Sequence, residues 1–147
     1  MAMSTSLSQH HKALFAPYKE AFYAGDKDSV KAQMHKLFAP DCLFHMCHPF
    51  GNITGPDAYF EAVISPLFDA MPDLERRDFI LMAGRTEHGG DWLGCGGNFF
   101  GTFAAPFLDI PPTGHLAHMR FHEFYKFEGD QIVEMQTIWD IPELMLQ

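Results

Sequence analysis

The stretch that most constrains this chain runs from Leu116 to Trp139. Two strand-length runs, Leu116 to Phe127 and Gln131 to Trp139, flank Glu128-Gly129-Asp130. The first run is rich in aromatic residues and the second in β-branched ones, and Gly129 between two acidic residues is hairpin chemistry. The C-terminal part of the chain therefore contains an antiparallel pair. Glu75 to Ala83 and Trp92 to Phe103 read as two further strands, around the Gly89-Gly90-Asp91 turn. Ala104 to Gly114 holds Pro106, Pro111, Pro112 and Gly114, so it reads as a long connection.

The first half reads as helices with one strand. His11, Leu14, Tyr18 and Phe22 form one stripe of a helix expected over Ser8 to Ala24, stopped by Gly25 in a left-handed cap. Asp26 or Asp28 caps a second helix through Ser29 to Phe38, which Ala39-Pro40-Asp41 ends. Cys42 to His48 reads as a strand and Pro49 to Ile53 as a loop. Thr54 is the expected cap of a third helix bearing Tyr59, Phe60, Val63, Ile64, Leu67 and Phe68. Asp140 is the expected cap of a short last helix. Helices grouped against an antiparallel sheet make an α+β domain, and 147 residues suit one domain, 1–147.

Composition narrows the partners. With 47% hydrophobic and 20% charged residues the chain can bury a core. Its fifteen Phe, four Tyr and two Trp suit either an aromatic core or a pocket for a small molecule. A net charge of −9, with Arg76-Arg77 isolated beside Glu75 and Asp78, argues against nucleic acid and against an anionic membrane surface. Cys42, Cys47 and Cys95 have no metal-knuckle spacing, and they read as small buried hydrophobes in a reduced, cytoplasmic setting. No basic, apolar leader opens the sequence, and no apolar run reaches the roughly 20 residues a membrane span needs.

The order of several short motifs resembles the SnoaL-like polyketide cyclase family, within the nuclear-transport-factor-like (cystatin-like) superfamily. The residues that carry this are Phe38-Ala-Pro-Asp41, His48-Pro-Phe-Gly-Asn-Ile-Thr-Gly-Pro-Asp-Ala-Tyr-Phe60 and Met71-Pro-Asp-Leu74. Phe-x-Gly-Thr-Phe ending at Phe103, Pro111-Pro-Thr-Gly-His115, the run from Met119 to Glu134 and Trp139-Asp140 complete them. The resemblance implies a cone-shaped curved sheet packed on N-terminal helices and a homodimer through the sheet. It also implies ring closure on a small, largely apolar carbonyl compound without metal or cofactor.

Closing a ring by aldol chemistry requires a group that takes a proton beside a carbonyl and another that stabilises an oxyanion. Histidine suits proton transfer near neutral pH. Cyclases of this family carry an active-site His near the place of His122. Period two puts His118, Arg120, His122 and Phe124 on one face and Met119, Phe121, Glu123 and Tyr125 on the other. The first set is read as facing the pocket, with His122 as the proton carrier and Arg120 or His118 on the oxyanion. The opposite assignment, with that face in solvent, stands beside it.

The resemblance also expects an acid–base Asp three residues before the Asp that ends the last strand. Thr137 stands there, or Gln136 if the register differs by one, and neither is acidic. Asp140 is the nearest remaining carboxylate, and Trp139 shares the Thr137 face. His48 is read as bordering the pocket mouth. His45 and His48 point to opposite faces, and His118 and His122 lie roughly 13 Å apart along a strand, too far for one metal ion. A non-catalytic binding module of the same fold is the rival reading, because of Thr137.

Overall fold

The computed structural model describes residues 2–147, with side chains from Leu7 onward. Helix α1 (Ala2–Tyr23) starts earlier than the sequence suggests and contains Pro17. It ends as expected at Gly25. That residue has φ +69°, with Gly25 N–H donating to the Phe22 carbonyl and Asp26 N–H to the Ala21 carbonyl. These paired bonds satisfy two of the carbonyls a helix end leaves open. Asp26 then caps α2 (Lys27–Leu37) by accepting from Ser29 N–H at 3.1 Å.

Strand β1 (Phe38–His45) begins at the helix end, so Phe38 is the first residue of a strand rather than the last of a helix. A short strand β2 (Asn52–Thr54) occupies part of the expected loop. Thr54 therefore does not cap the next helix. Gly55, at φ +88°, takes the N-cap position without a side-chain bond. That helix runs as α3 (Pro56–Tyr59), a wider π turn (Phe60–Ile64) and α4 (Ser65–Ala70). Pro66 explains the wide turn. It has no N–H for the Ala62 carbonyl, and Ser65 N–H instead reaches back to Phe60.

The remaining elements are β3 (Glu75–Arg85), β4 (Asp91–Thr102), β5 (Leu116–Glu128), β6 (Gln131–Trp139) and α5 (Ile141–Met145). The sheet order is β2-β1-β6-β5-β4-β3. All neighbours are antiparallel except β1 and β6, which are parallel. Gly129, at φ +59°, turns the β5–β6 hairpin as its sequence implies.

Strand β5 is paired with β4 from Asp91↔Phe127 to Thr102↔Leu116, but with β6 only as far as Phe121↔Trp139. The backbone of residues 118–120 would be left bare on that side. The C-terminal segment closes it. Asp140 N–H donates to the Arg120 carbonyl at 2.8 Å, and Arg120 N–H donates to Glu143 Oε1 at 2.9 Å. Gln147 accepts from His118 N–H at 3.0 Å and donates to its carbonyl at 2.7 Å, as a neighbouring strand would. Asp140 caps α5 by accepting from Glu143 N–H at 3.1 Å, as expected.

One irregularity sets the interior. The β3–β4 register steps from Asp78↔Gly97 to Ile80↔Gly96, so Phe79 is an extra residue, a bulge. Before it, the Arg76 and Asp78 side chains are buried. After it, Leu81 and Ala83 pack on the core while Ile80 and Met82 face outward. A strand of strict period two would have continued inward with Ile80.

Candidate functional site

Strand β5 alternates cleanly between buried and exposed residues, and the phase is the reverse of the one expected. Met119, Phe121, Glu123 and Tyr125 are buried; His118, Arg120, His122 and Phe124 are exposed. The expectation that the imidazoles of His118 and His122 and the Arg120 guanidinium enter an enclosed hollow is thus corrected. The reason is the apolar balance of the two faces. Burying Met, Phe and Tyr against the helices removes more apolar area from water than burying two His and an Arg. On the outer face Phe124 lies over Gly94, where a Cβ would come within 3.0 Å of its ring, and His122 lies over Gly96. His118 Nδ1 is 3.3 Å from Glu143 Oε1.

Asp140 is exposed and serves α5 as its cap. His48 is exposed too, on the turn from Met46 to Gly51 that Met46 N–H closes on the Gly51 carbonyl. That turn carries Phe50, whose ring meets Phe107 of the β4–β5 connection at 6.3 Å and Trp139 at 5.8 Å. Thr137 and Trp139, by contrast, are buried on the inner face, as their shared phase implies.

What the structure brings to them is Glu123. It is the ladder partner of Thr137, directly opposite on the neighbouring strand. Glu123 Oε2 accepts from Trp139 Nε1 at 2.8 Å and lies 3.0 Å from Thr137 Oγ1, which is also 3.2 Å from the His122 carbonyl. Glu123 Oε1 accepts from Arg76 Nη1 at 2.7 Å and from the Tyr125 hydroxyl. Arg76 also grips Asp78, with Nε to Oδ1 at 3.1 Å and Nη2 to Oδ2 at 3.0 Å. A carboxylate thus stands one strand away from the position at which the resemblance expects one.

The cluster sits in apolar surroundings. The Arg76 and Glu123 side chains are each 1% exposed and that of Asp78 2%. Arg76 Cζ lies 4.2 Å from the Phe121 ring centre, 5.3 Å from that of Phe22 and 5.9 Å from those of Phe15 and Phe99. Such faces attract a guanidinium. Burial alone would pull the Arg76 pKa down, but the oxygens of Tyr125, Glu123 and Asp78 hold it above its usual value. Burial pushes the phenols of Tyr18, Tyr59 and Tyr125 well above the usual tyrosine range, so all three stay neutral. Burial likewise raises Cys95 against the pull of Arg76, and raises Cys42 to about 12, so neither is a thiolate.

A groove of about 460 Å³ between α1 and β3 is lined by Lys19, Glu20, Tyr23, Arg77 and Phe79, together with Arg76 and Asp78. Among the described residues no group of three His, Cys, Asp or Glu could hold a metal ion, and no helix is long and apolar enough to cross a membrane.

Sequence reasoning missed Arg76 and Glu123. A signal was present for both. Glu123 is the one charged residue in the otherwise apolar set Met119, Phe121, Tyr125, Phe127, and a buried carboxylate needs a cation. Arg76, two residues from Asp78 in a strand, offers that cation on the same face.

The family model for SnoaL-like polyketide cyclases matches residues 16–147. The chain belongs to the SnoaL-like polyketide cyclase family. No curated protein matches its sequence. The fold is similar to that of AclR from Streptomyces galilaeus, at 18% identity and TM-score 0.77, covering 95% of this chain and 84% of that one. IdmH from Streptomyces antibioticus is similar at 22% identity and TM-score 0.73, over 92% of this chain and 96% of its own. A SnoaL-like polyketide cyclase from Agrobacterium tumefaciens shares 20% identity with TM-score 0.67, over 93% and 96%. At these identities the likeness extends to the fold. This SnoaL-like chain keeps the family's helices and curved sheet, and carries Thr137 where the family resemblance expects the acid.

Proposed function

We propose that this SnoaL-like protein is a cofactor-independent acid–base enzyme of the cyclase or isomerase type, with Glu123 as its interior carboxylate. Its substrate is a small, largely apolar carbonyl compound held inside the cone. The observation that carries this reading is the cross-strand pair Glu123↔Thr137, with 3.0 Å between hydroxyl and carboxylate. The carboxylate reaches the inner face from β5 instead of β6.

Charge counting supports proton chemistry there. Arg76 supplies one positive charge against the two carboxylates of Glu123 and Asp78, so the cluster is one positive charge short of balance. A proton taken from the carbon beside a carbonyl has a place to go, and neutral Tyr125 is a donor beside it. Aromatic walls hold an apolar ring system and exclude water, which strengthens each interaction. Trp139 joins Glu123 to Phe50, whose ring also meets Phe107, and the loops that carry Phe50 and Phe107 form the entrance in this reading; His48 stands on the first of them.

The outer face, with Leu116, Phe124, Ile138, Ile80 and Met82 exposed, serves the homodimer that the family resemblance implies. His118, Arg120 and His122 then meet a second copy, and their chemistry is that of the interface. Light scattering of the purified protein measures this, with a monomer at micromolar concentration as the contrary result.

The test of the activity is Glu123→Gln. In D2O, the wild-type protein is expected to speed deuterium uptake at the α-carbon of members of a panel of aryl ketones. The variant, which leaves Arg76 its bonds to Asp78, loses that acceleration by about a hundredfold or more while staying folded by circular dichroism. Unchanged exchange in the variant overturns the role of Glu123. One observation favours a second reading. Arg76, Tyr125, Thr137 and Trp139 already donate to both oxygens of Glu123, and four donors fill the lone-pair sites that a substrate would need. Ketones that bind the wild-type protein with no exchange would make it a binding module.

A further inference from the structure

The strained backbone of this chain is concentrated in the β4–β5 connection. Among the described residues only Leu108 (φ +50°) and Asp109 (φ +63°) take a positive φ without being glycine. They are the central pair of a tight turn closed by Phe107 and Ile110. Phe107 N–H donates to the Ile110 carbonyl at 3.2 Å, and Ile110 N–H to the Phe107 carbonyl at 2.8 Å. A positive φ at both central positions is the pattern that Asn-Gly serves best. Aspartate tolerates it, but leucine gains no local bond there to offset the crowding of its Cβ. Such residues persist only where the surrounding structure holds them, and they gather at clamps and switches.

Side-chain packing is what holds this turn. Phe107 is 1% exposed, and Leu108 and Ile110 lean on the core. The Phe107 ring meets Phe50, Phe50 meets Trp139, and Trp139 Nε1 donates to Glu123. The backbone adds little. From residue 106 to 113 the two bonds inside the turn are the only backbone–backbone hydrogen bonds among the described residues. Pro106, Pro111 and Pro112 have no N–H to give. The two ends, by contrast, are pinned. Ala104 N–H and Ala105 N–H both donate to the Ala70 carbonyl, at 2.8 and 3.3 Å. Phe103 N–H donates to the His115 carbonyl at 3.0 Å, and Gly114 N–H to the Phe103 carbonyl at 2.8 Å. A segment anchored at both ends, with no ladder bonds between them, opens as one unit.

We propose that residues 106–113 form a gate over the Glu123 cluster, with Phe107 as its plug, and that the strain at Leu108 and Asp109 poises the gate to open. Burial of the Phe107 ring favours the closed state, and relief of the two left-handed residues favours the open one. Opening carries Phe107 away from Phe50 and uncovers Trp139 and the carboxylate bonded to it. The gate rests on the reading of that carboxylate as the interior site, and adds how a ligand or water reaches it. An Asn-Gly turn would close more tightly, so Leu108 serves passage at the expense of stability.

The test needs no ligand. Hydrogen exchange of the wild-type protein in D2O, followed by NMR, reads the Phe107 and Ile110 amides and the Trp139 indole N–H. All three are expected to share one protection factor, about a hundredfold below those of the β5 amides, with little dependence on low urea. Exchange of the three only together with β5 overturns the gate, since the segment then opens only when the fold does. Exchange of Phe107 and Ile110 without the Trp139 indole also overturns it, because that opening does not reach Glu123. None of these readings uses catalysis. The gate can therefore fail while Glu123→Gln still abolishes ketone exchange, and it can stand while the acid–base reading falls.

Two variants separate the parts of the device. Leu108→Asn with Asp109→Gly supplies the residues the turn favours, and is expected to slow all three exchanges about tenfold. Unslowed exchange in that variant overturns the role of the strain. Phe107→Ala keeps the turn and removes the plug, and is expected to speed exchange of the Trp139 indole N–H about tenfold or more. An indole that exchanges no faster in Phe107→Ala overturns the assignment of the plug.

Discussion

Arg76→Met is expected to melt about 10 °C or more below the wild-type protein at neutral pH. The guanidinium makes every cationic contact of a cluster whose side chains are at most 2% exposed. Met fills much of the same space but offers no donors. Glu123 would keep Tyr125, Thr137 and Trp139, while Asp78 would lose both bonds from Arg76. Breaking a buried pair by removing one partner costs about 3–5 kcal/mol, because the remaining charge stays desolvated. Domains have about 5–15 kcal/mol in all, so much of the fold's stability is at stake. For a domain of this size each kcal/mol moves the melting temperature by a few degrees, about 2–8 °C. The contacts of the guanidinium with Phe15, Phe22, Phe99 and Phe121 go too.

The same variant has a signature in pH. Its unpaired carboxylates bind protons more readily when folded than when unfolded, since protonation removes the buried charge. With more protons bound in the folded state, stability falls as pH rises. Arg76→Met is therefore expected to recover stability between pH 7 and pH 5. Adding Glu123→Gln and Asp78→Asn should restore most of the loss at pH 7, because the carboxylates that needed the cation are gone. Thermal melts followed by circular dichroism measure all of these. A single variant melting within about 2 °C of wild type, with no pH trend, would show that the ion cluster does not hold the interior together.

Gly97→Ala is the second large effect. Gly97 pairs with Asp78 at the bulge, where β3 comes close to β4. A Cβ there would lie 1.9 Å from the Arg77 carbonyl oxygen and 2.9 Å from its carbon. Both are backbone atoms of the neighbouring strand, so no side-chain rotation relieves the clash. The strands must part, and Arg76 and Asp78 move with them. Overpacking a tight site costs on the order of 1–3 kcal/mol, and the rigid neighbour puts this case at the top of that range. Gly96→Ala is the matched control. Its Cβ would meet the His122 ring at 3.7 Å, an ordinary contact on the outer face. The control is expected to melt within a few degrees of wild type, while Gly97→Ala falls by about 10 °C. Equal melting of the two would mean that the bulge relaxes without cost.

The local elements were legible in the chain. Gly25 stops α1, Asp26 and Asp140 cap helices, and Gly129 turns the last hairpin, as their sequences imply. Each depends on contacts a few residues apart, which the sequence displays directly. The parallel pairing of β1 with β6 and the short strand β2 were less visible, since both depend on partners far along the chain or on a three-residue run.

The ordered motifs from Phe38 to Asp140 were enough to indicate the family, because a shared fold leaves its spacing in the chain. Periodicity alone left the two faces of β5 open, since they differ in phase by one residue and period two does not say which of them packs on the core. The tertiary structure decided between them through the helices that bury Met119, Phe121 and Tyr125, leaving His122 outside. It also decided the acid. Glu123 becomes an interior carboxylate only because Arg76, 47 residues earlier, meets it across the sheet, and because the bulge at Phe79 lets Arg76, Asp78, Leu81 and Ala83 share one side. Long-range pairing and a one-residue change of phase have no local trace in a sequence, since their energy exists only once the strands are side by side.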